Sequence, residues 1–219
     1  MASVADTAAA PWLRAKYALF LLIALMLAYV LYHNLSFLID PADARWPHYH
    51  VVGRYLLPHG ILGAIALSLG ATQFSTRLRM RWPAVHRLFG RVYMIAVLLA
   101  APLGVYIEYL DEQMGSSRSF TLAAATFAFL WIYAILMAFA NIRARRIDEH
   151  RQWMIRGFAT AAVFFEVRVL GGLTGWDQTP ATDEIEVWAL VALAYPIADT
   201  ILQVERWLQS RRRTASAGR

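Results

Sequence analysis

Two histidines, His86 and His150, bear most directly on chemistry. His86 follows Trp82-Pro83, His150 follows Asp148-Glu149, and each opens an apolar run. Proline suits a first helical turn and aspartate suits an N-cap, so Asp148 is expected to cap its helix and both histidines to lie in first turns. His86, Gly90 and Tyr93 then share one helix face, as do His150, Met154 and Gly157. Neutral imidazoles from two facing helices can ligate a haem b iron. On that reading the glycines leave room for the macrocycle, and Arg87, Arg91, Arg151 and Arg156 meet its propionates. The plainer reading is interfacial: a His-Arg pair at a helix start binds lipid phosphate or closes a loop.

His59, beside Pro58 and Gly60, is a candidate for a second site. A repeat would place its partner near Ala123 or Ala124, where there is no histidine; His33 is the substitute. Glu166, Arg168 and Asp199 are charges inside apolar runs. Such groups are costly in lipid and face a bundle interior, either as a proton or substrate path or as ion pairs that fix packing. Packing is the preferred reading, and Glu108 is the expected partner of Arg168 by depth. Gly60, Gly63 and Gly70, with Gly171, Gly172 and Gly175, are expected to permit close backbone approach.

The elements that must hold these residues follow from composition. The 219 residues are 59% hydrophobic and 16% charged, against about 25% charged in ordinary soluble domains. Mean hydropathy is +0.43. A helix needs about 20 apolar residues to cross the hydrocarbon layer. Candidate spans are 17–39, 56–75, 88–109, 119–141, 155–174 and 187–207, with a kink expected at Pro196. The expected fold is therefore an all-α integral membrane protein: an up-and-down bundle of about six helices in one domain, 1–219. Spans two to five form a four-helix core, with the first and sixth outside. The first run exceeds a signal-peptide core and is read as a retained helix.

Charge sets the orientation. Arg77, Arg79, Arg81, Arg87 and Arg91 lie between spans two and three, and Arg143, Arg145, Arg146, Arg151 and Arg156 between four and five. With Arg14, Lys16 and the C-terminal arginines, 17 of 21 basic residues fall on one side. The positive-inside rule makes that side cytoplasmic, with both termini, in a bacterial inner membrane. Glu108, Asp111, Glu112, Asp177, Asp183, Glu184 and Glu186 mark the other side. Residues 40–55 are expected to be a loop there. The net charge of +6 sits in short loops between apolar runs, which points to the lipid bilayer as partner and away from nucleic acid.

The chain has no cysteine, which excludes disulfides, thiolate metal sites, iron–sulfur clusters and a cysteine nucleophile. It has no H-E-x-x-H, G-x-S-x-G or Walker motif, so hydrolase and ATPase readings are weak and enzymatic activity is left open. Two arginine clusters, each followed by His-Arg (His86-Arg87 and His150-Arg151) and a helix, suggest that spans two–three and four–five are similar hairpins.

The stretch His59-Gly60 to Gly63, then Gly70 and Gln73, then His86-Arg87-Leu-Phe-Gly90-Arg91-Val-Tyr93, then His150-Arg151-Gln-Trp153-Met154-Ile-Arg156 and Arg168, resembles the bacterial membrane-protein family catalogued as domain of unknown function 2306. The resemblance covers about residues 56–175. It implies a multi-pass bacterial membrane protein and supplies no activity. The layout of spans two to five also resembles two-haem cytochrome b561-type bundles, from which the missing histidine in span four departs. Three functions are weighed, in order: a small accessory or binding subunit of a membrane assembly, a haem b redox protein using His86 and His150, and a small transporter using Glu166, Arg168 and Asp199.

Overall fold

The computed structural model describes residues 11–34, 46–176 and 179–217. Those residues form seven helices: α1 (Pro11–Asn34), α2 (Trp46–Thr72), α3 (Thr76–Arg81), α4 (Pro83–Gln113), α5 (Arg118–Arg143), α6 (Ile147–Thr174) and α7 (Pro180–Ala217). The chain separates into two compact units, Met1–Asp43 and Ala44–Arg219. In the first, α1 carries an apolar stretch, Phe20–Val30, within the expected first span.

In the second unit five helices are long and apolar enough to cross a membrane: α2, α4, α5, α6 and α7. Short connections make neighbours antiparallel. Gly115 (φ 105) lies in the turn between α4 and α5, and Arg145 (φ 60) in the turn between α5 and α6. Ser117 caps α5 by accepting from the Ser119 amide at 3.2 Å, and α6 closes on left-handed Gly175. Helix α2 packs on α4, α4 on α5, α5 on α6, and α6 returns to α2. That ring is the expected four-helix core, and α7 packs outside it on α6 and α5.

Alanines make up much of the core, around a few large side chains such as Tyr93 and Trp131. Ala66, Ala96, Ala100, Ala123, Ala134 and Ala138 are all buried. On α5, Leu122, Phe129 and Leu136 recur at one face and are 55%, 66% and 48% exposed, while Ala123, Ala134 and Ala138 line the opposite face. Large apolar residues outside and alanines inside reverse the soluble pattern. They fit a solvent of lipid, where helices associate by close packing rather than by hiding apolar area.

Several boundaries differ from expectation. Residues 46–55 are not loop but the first turns of α2. Pro47 falls at its second residue, where a missing N–H leaves no gap. Residues 40–45 of that segment and the His33 side chain lie outside the described part. The arginine-rich connection after α2 contains α3, capped by the Ser75 hydroxyl on the Leu78 amide at 3.2 Å. Asp148 is not the cap of α6. Arg146 holds that position, and Asp148 lies in the first turn, where its charge meets the positive end of the helix dipole.

Candidate functional site

At one end of the bundle the helices line a cavity of about 380 Å³ that is partly open to its surroundings. Helices α2, α4, α5, α6 and α7 all contribute to it. Its walls are apolar, formed by residues such as Leu56, Val105, Phe127, Val163 and Val191. Its polar lining is Glu108 and Asp111 from α4, Ser116, Asp183 from α7, Arg168 from α6 and His59 from α2. This is the acidic end of the bundle, where α4 and α6 finish and α5 and α7 begin.

Each polar group is held by its helix. His59 is fixed by its Nδ1–H, which donates to the Ala100 carbonyl across the α2–α4 interface at 2.9 Å. That bond sets the tautomer and leaves Nε2 with the lone pair. Gly104 makes room for the ring, since a Cβ there would stand 3.0 Å from His59 Cε1. Thr121 of α5 donates to the Glu108 carbonyl at 3.1 Å, and the Trp188 indole of α7 donates to Ser119 at 2.9 Å, so α4, α5 and α7 are tied around the rim.

Arg168 lies with its guanidinium 5.8 Å from the Phe164 ring centre. Its charge acts on both Glu108 and His59. The expected Arg168–Glu108 neighbourhood is present, but the two form no direct ion pair: they line the same cavity without closing on each other. Asp111 and Asp183 also act on Glu108.

The opposite, arginine-rich end is closed by different contacts. His86 and His150 are each the fourth residue of a helix, and their amides make the first helical bonds to Trp82 and Arg146, both at 3.0 Å. The two imidazoles are near enough to act on each other electrostatically. His150 donates from Nδ1 to the Ala138 carbonyl at 2.8 Å, while the buried His86 Nδ1 has no hydrogen-bond partner among the described residues. Space beside the glycines on these faces is filled. A Cβ on Gly90 would meet Gln73 Oε1 at 3.1 Å, and one on Gly157 would meet Ile135 Cδ1 at 3.0 Å.

Two of the four arginines considered for propionates are held by carboxylates of α7. Arg156 meets Asp199 at 2.7 Å and stacks 4.7 Å from Trp153, and Arg151 meets Glu205 at 2.6 Å. Arg87 and Arg91 are exposed. Between the two ends, Tyr93 is 1% exposed. It is wedged against Gly70 of α2 and Gly157 of α6, with Trp131 of α5 at 3.5 Å from its hydroxyl.

Glu166, Arg168 and Asp199 do not converge. Arg168 lines the cavity, Asp199 is paired near the other end, and Glu166 is half-buried on α6 without a hydrogen bond or ion pair to a described residue. The sequence reading missed Asp111, Asp183, Ser116 and Gly104 as lining residues. The available signal was the alternation of acidic connections, which predicts that carboxylates from α4 and α7 gather at one end. No group of three or more metal-ligating side chains occurs among the described residues.

The sequence model of a family described as "Predicted membrane protein (DUF2306)" matches residues 56–198, from the middle of α2 to the middle of α7, and so spans every helix that lines the cavity. No curated protein and no solved structure matches the chain.

Proposed function

This chain belongs to DUF2306, a family of predicted membrane proteins, and on that premise we propose that it is a membrane-embedded binding protein whose ligand occupies the cavity at the acidic end of the bundle. The observation that carries the reading is the cavity itself: about 380 Å³, apolar in its walls and charged in its rim, between five helices. Ligand sites usually measure about 300–1,000 Å³ and combine apolar walls with a few fixed polar groups. Charged side chains in a membrane bundle are costly, and where they occur they tend to mark a ligand or ion site. In this reading Arg168, Glu108, Asp111, Asp183 and His59 orient the ligand, and the chain acts as a binding or accessory subunit rather than as a catalyst. The basic loops support an orientation with both termini in the cytoplasm, in a bacterial inner membrane as the family resemblance implies; the cavity would then open toward the periplasmic side.

The test is native mass spectrometry of the protein released from nanodiscs of its host lipids. A small molecule retained at about one per chain is expected, and it should be lost in Ala124→Phe, which fills the cavity beside Phe120 and Phe127. Retention unchanged by Ala124→Phe, or no retained molecule at all, would remove the cavity as the ligand site.

A further inference from the structure

The cavity's charges have an arrangement that selects among ligands, and the following inference rests on the cavity being the binding site. The one guanidinium, Arg168, enters from α6, whereas the carboxylates enter from α4 (Glu108, Asp111) and α7 (Asp183). Arg168 acts on Glu108 electrostatically, yet forms no direct ion pair with any described residue. Opposite charges brought to one cavity but held apart can be bridged by a ligand that carries both signs.

We propose that the cavity takes an amphiphilic zwitterion, with its anionic group on Arg168, its ammonium on Glu108, and its apolar part between Phe127, Val163 and Val191. Arginine is suited to the anion because its planar fork matches phosphate or carboxylate with two parallel hydrogen bonds. An anion that brings no ammonium leaves the Glu108 carboxylate facing a second negative charge. A cation without an anion leaves Arg168 unsatisfied. Rejection of both half-ligands is how a site gains selectivity beyond affinity. The charged groups lie within the last two turns or so of α4 and α6 and in the first turn of α7, while Val163 and Val191 lie deeper along α6 and α7. That polarity suits a head group at the membrane boundary with its chain directed inward.

The experiment uses the full-length protein in a non-ionic maltoside, with binding read by isothermal titration. The probes are dihexanoyl phosphatidylethanolamine, dihexanoyl phosphatidylglycerol, octylamine and free phosphoethanolamine. The zwitterionic lipid is expected to bind at least about tenfold tighter than the anionic lipid or the amine, a difference of about 1.4 kcal/mol. Free phosphoethanolamine should bind more weakly than the lipid; equal binding would overturn the amphiphilic part and point to a water-soluble zwitterion. Arg168→Gln should abolish the preference for zwitterion over octylamine, and Arg168→Lys should restore part of it. Glu108→Gln should weaken the zwitterionic lipid and narrow its lead over the anionic one. A purely structural role for these residues would weaken all probes together, without this crossover. Equal binding of all head groups, sensitive to Ala124→Phe, would overturn the zwitterion proposal and leave the cavity reading standing. Binding of no probe that responds to Ala124→Phe would remove both.

Discussion

Gly70 and Gly63 lie two turns apart on α2, and an added methyl group should have opposite effects at the two positions. At Gly70 a Cβ would stand 3.0 Å from Tyr93 Cε2, 3.2 Å from Phe158 Cδ2 and 3.4 Å from Tyr93 Cδ2. Comfortable carbon–carbon contact is about 3.5–4.0 Å. Tyr93 has little freedom to retreat, because it is 1% exposed and its hydroxyl lies 3.5 Å from the Trp131 indole nitrogen. Overpacking a closed core costs about 1–3 kcal/mol, and this site belongs in the upper half of that range. The higher helix propensity of alanine returns about 1 kcal/mol. Gly70→Ala should therefore destabilise by about 1–2 kcal/mol, on the order of 2–8 °C in Tm for a chain of this size. At Gly63 nothing lies within 4 Å of the added carbon, so Gly63→Ala should be neutral or gain up to about 1 kcal/mol. Thermal unfolding in one detergent, followed by the fraction remaining monodisperse, compares the two directly. A Gly70→Ala protein at least as stable as Gly63→Ala would refute the wedged placement of Tyr93.

The Arg156–Asp199 pair, with Arg156 at 18% side-chain exposure, should be the most sensitive charge contact: Asp199→Ala should lower folded yield more than Arg168→Ala, which leaves no direct ion pair broken. A double-mutant cycle should recover part of the loss in Arg156→Ala with Asp199→Ala, and full additivity would discard the pairing. Cysteines introduced into this cysteine-free chain at positions 79 and 145 should resist an impermeant thiol reagent in intact cells, and labelling at either would reverse the orientation. The purified protein should show no Soret band when haem supply is ample, because Gln73 and Ile135 occupy the space beside Gly90 and Gly157; a band lost in His150→Ala would restore the haem reading.

What the sequence revealed was mostly depth, and what it hid was mostly rotation. Apolar runs and arginine clusters place residues along the membrane normal. His86 and His150 therefore emerge at one level, and Glu108 and Arg168 near another, as expected. The sequence puts the missing partner of His59 near Ala123 or Ala124, and both line the same cavity as His59. Which face of a helix meets which neighbour depends on side-chain packing between distant segments. Arg156 and Asp199 are 43 residues apart and had been given unrelated roles. Of Gly60, Gly63 and Gly70 in α2, Gly70 is tightly approached, whereas Gly60 and Gly63 face open space, contrary to the expectation for all three. The start of α2 at Trp46 was hidden because a polar, aromatic segment outside the hydrocarbon reads as loop even when it continues a helix.

The two ends of this bundle are unequally filled, and that asymmetry has a mechanical meaning. Near the arginine-rich end, α6 is fastened to α7 by two ion pairs and to α5 by the His150 bond. The acidic end holds the cavity, with α4, α5 and α7 tied around its rim. Pressure acts on a folded protein through the empty volume it contains. The cavity therefore gives the acidic end room to yield, which the contacts around its rim resist. A bilayer whose chains press harder in that leaflet acts on this room against those rim contacts. Lateral pressure would then set the room available at this end of the bundle, linking its width to the physical state of the surrounding lipid.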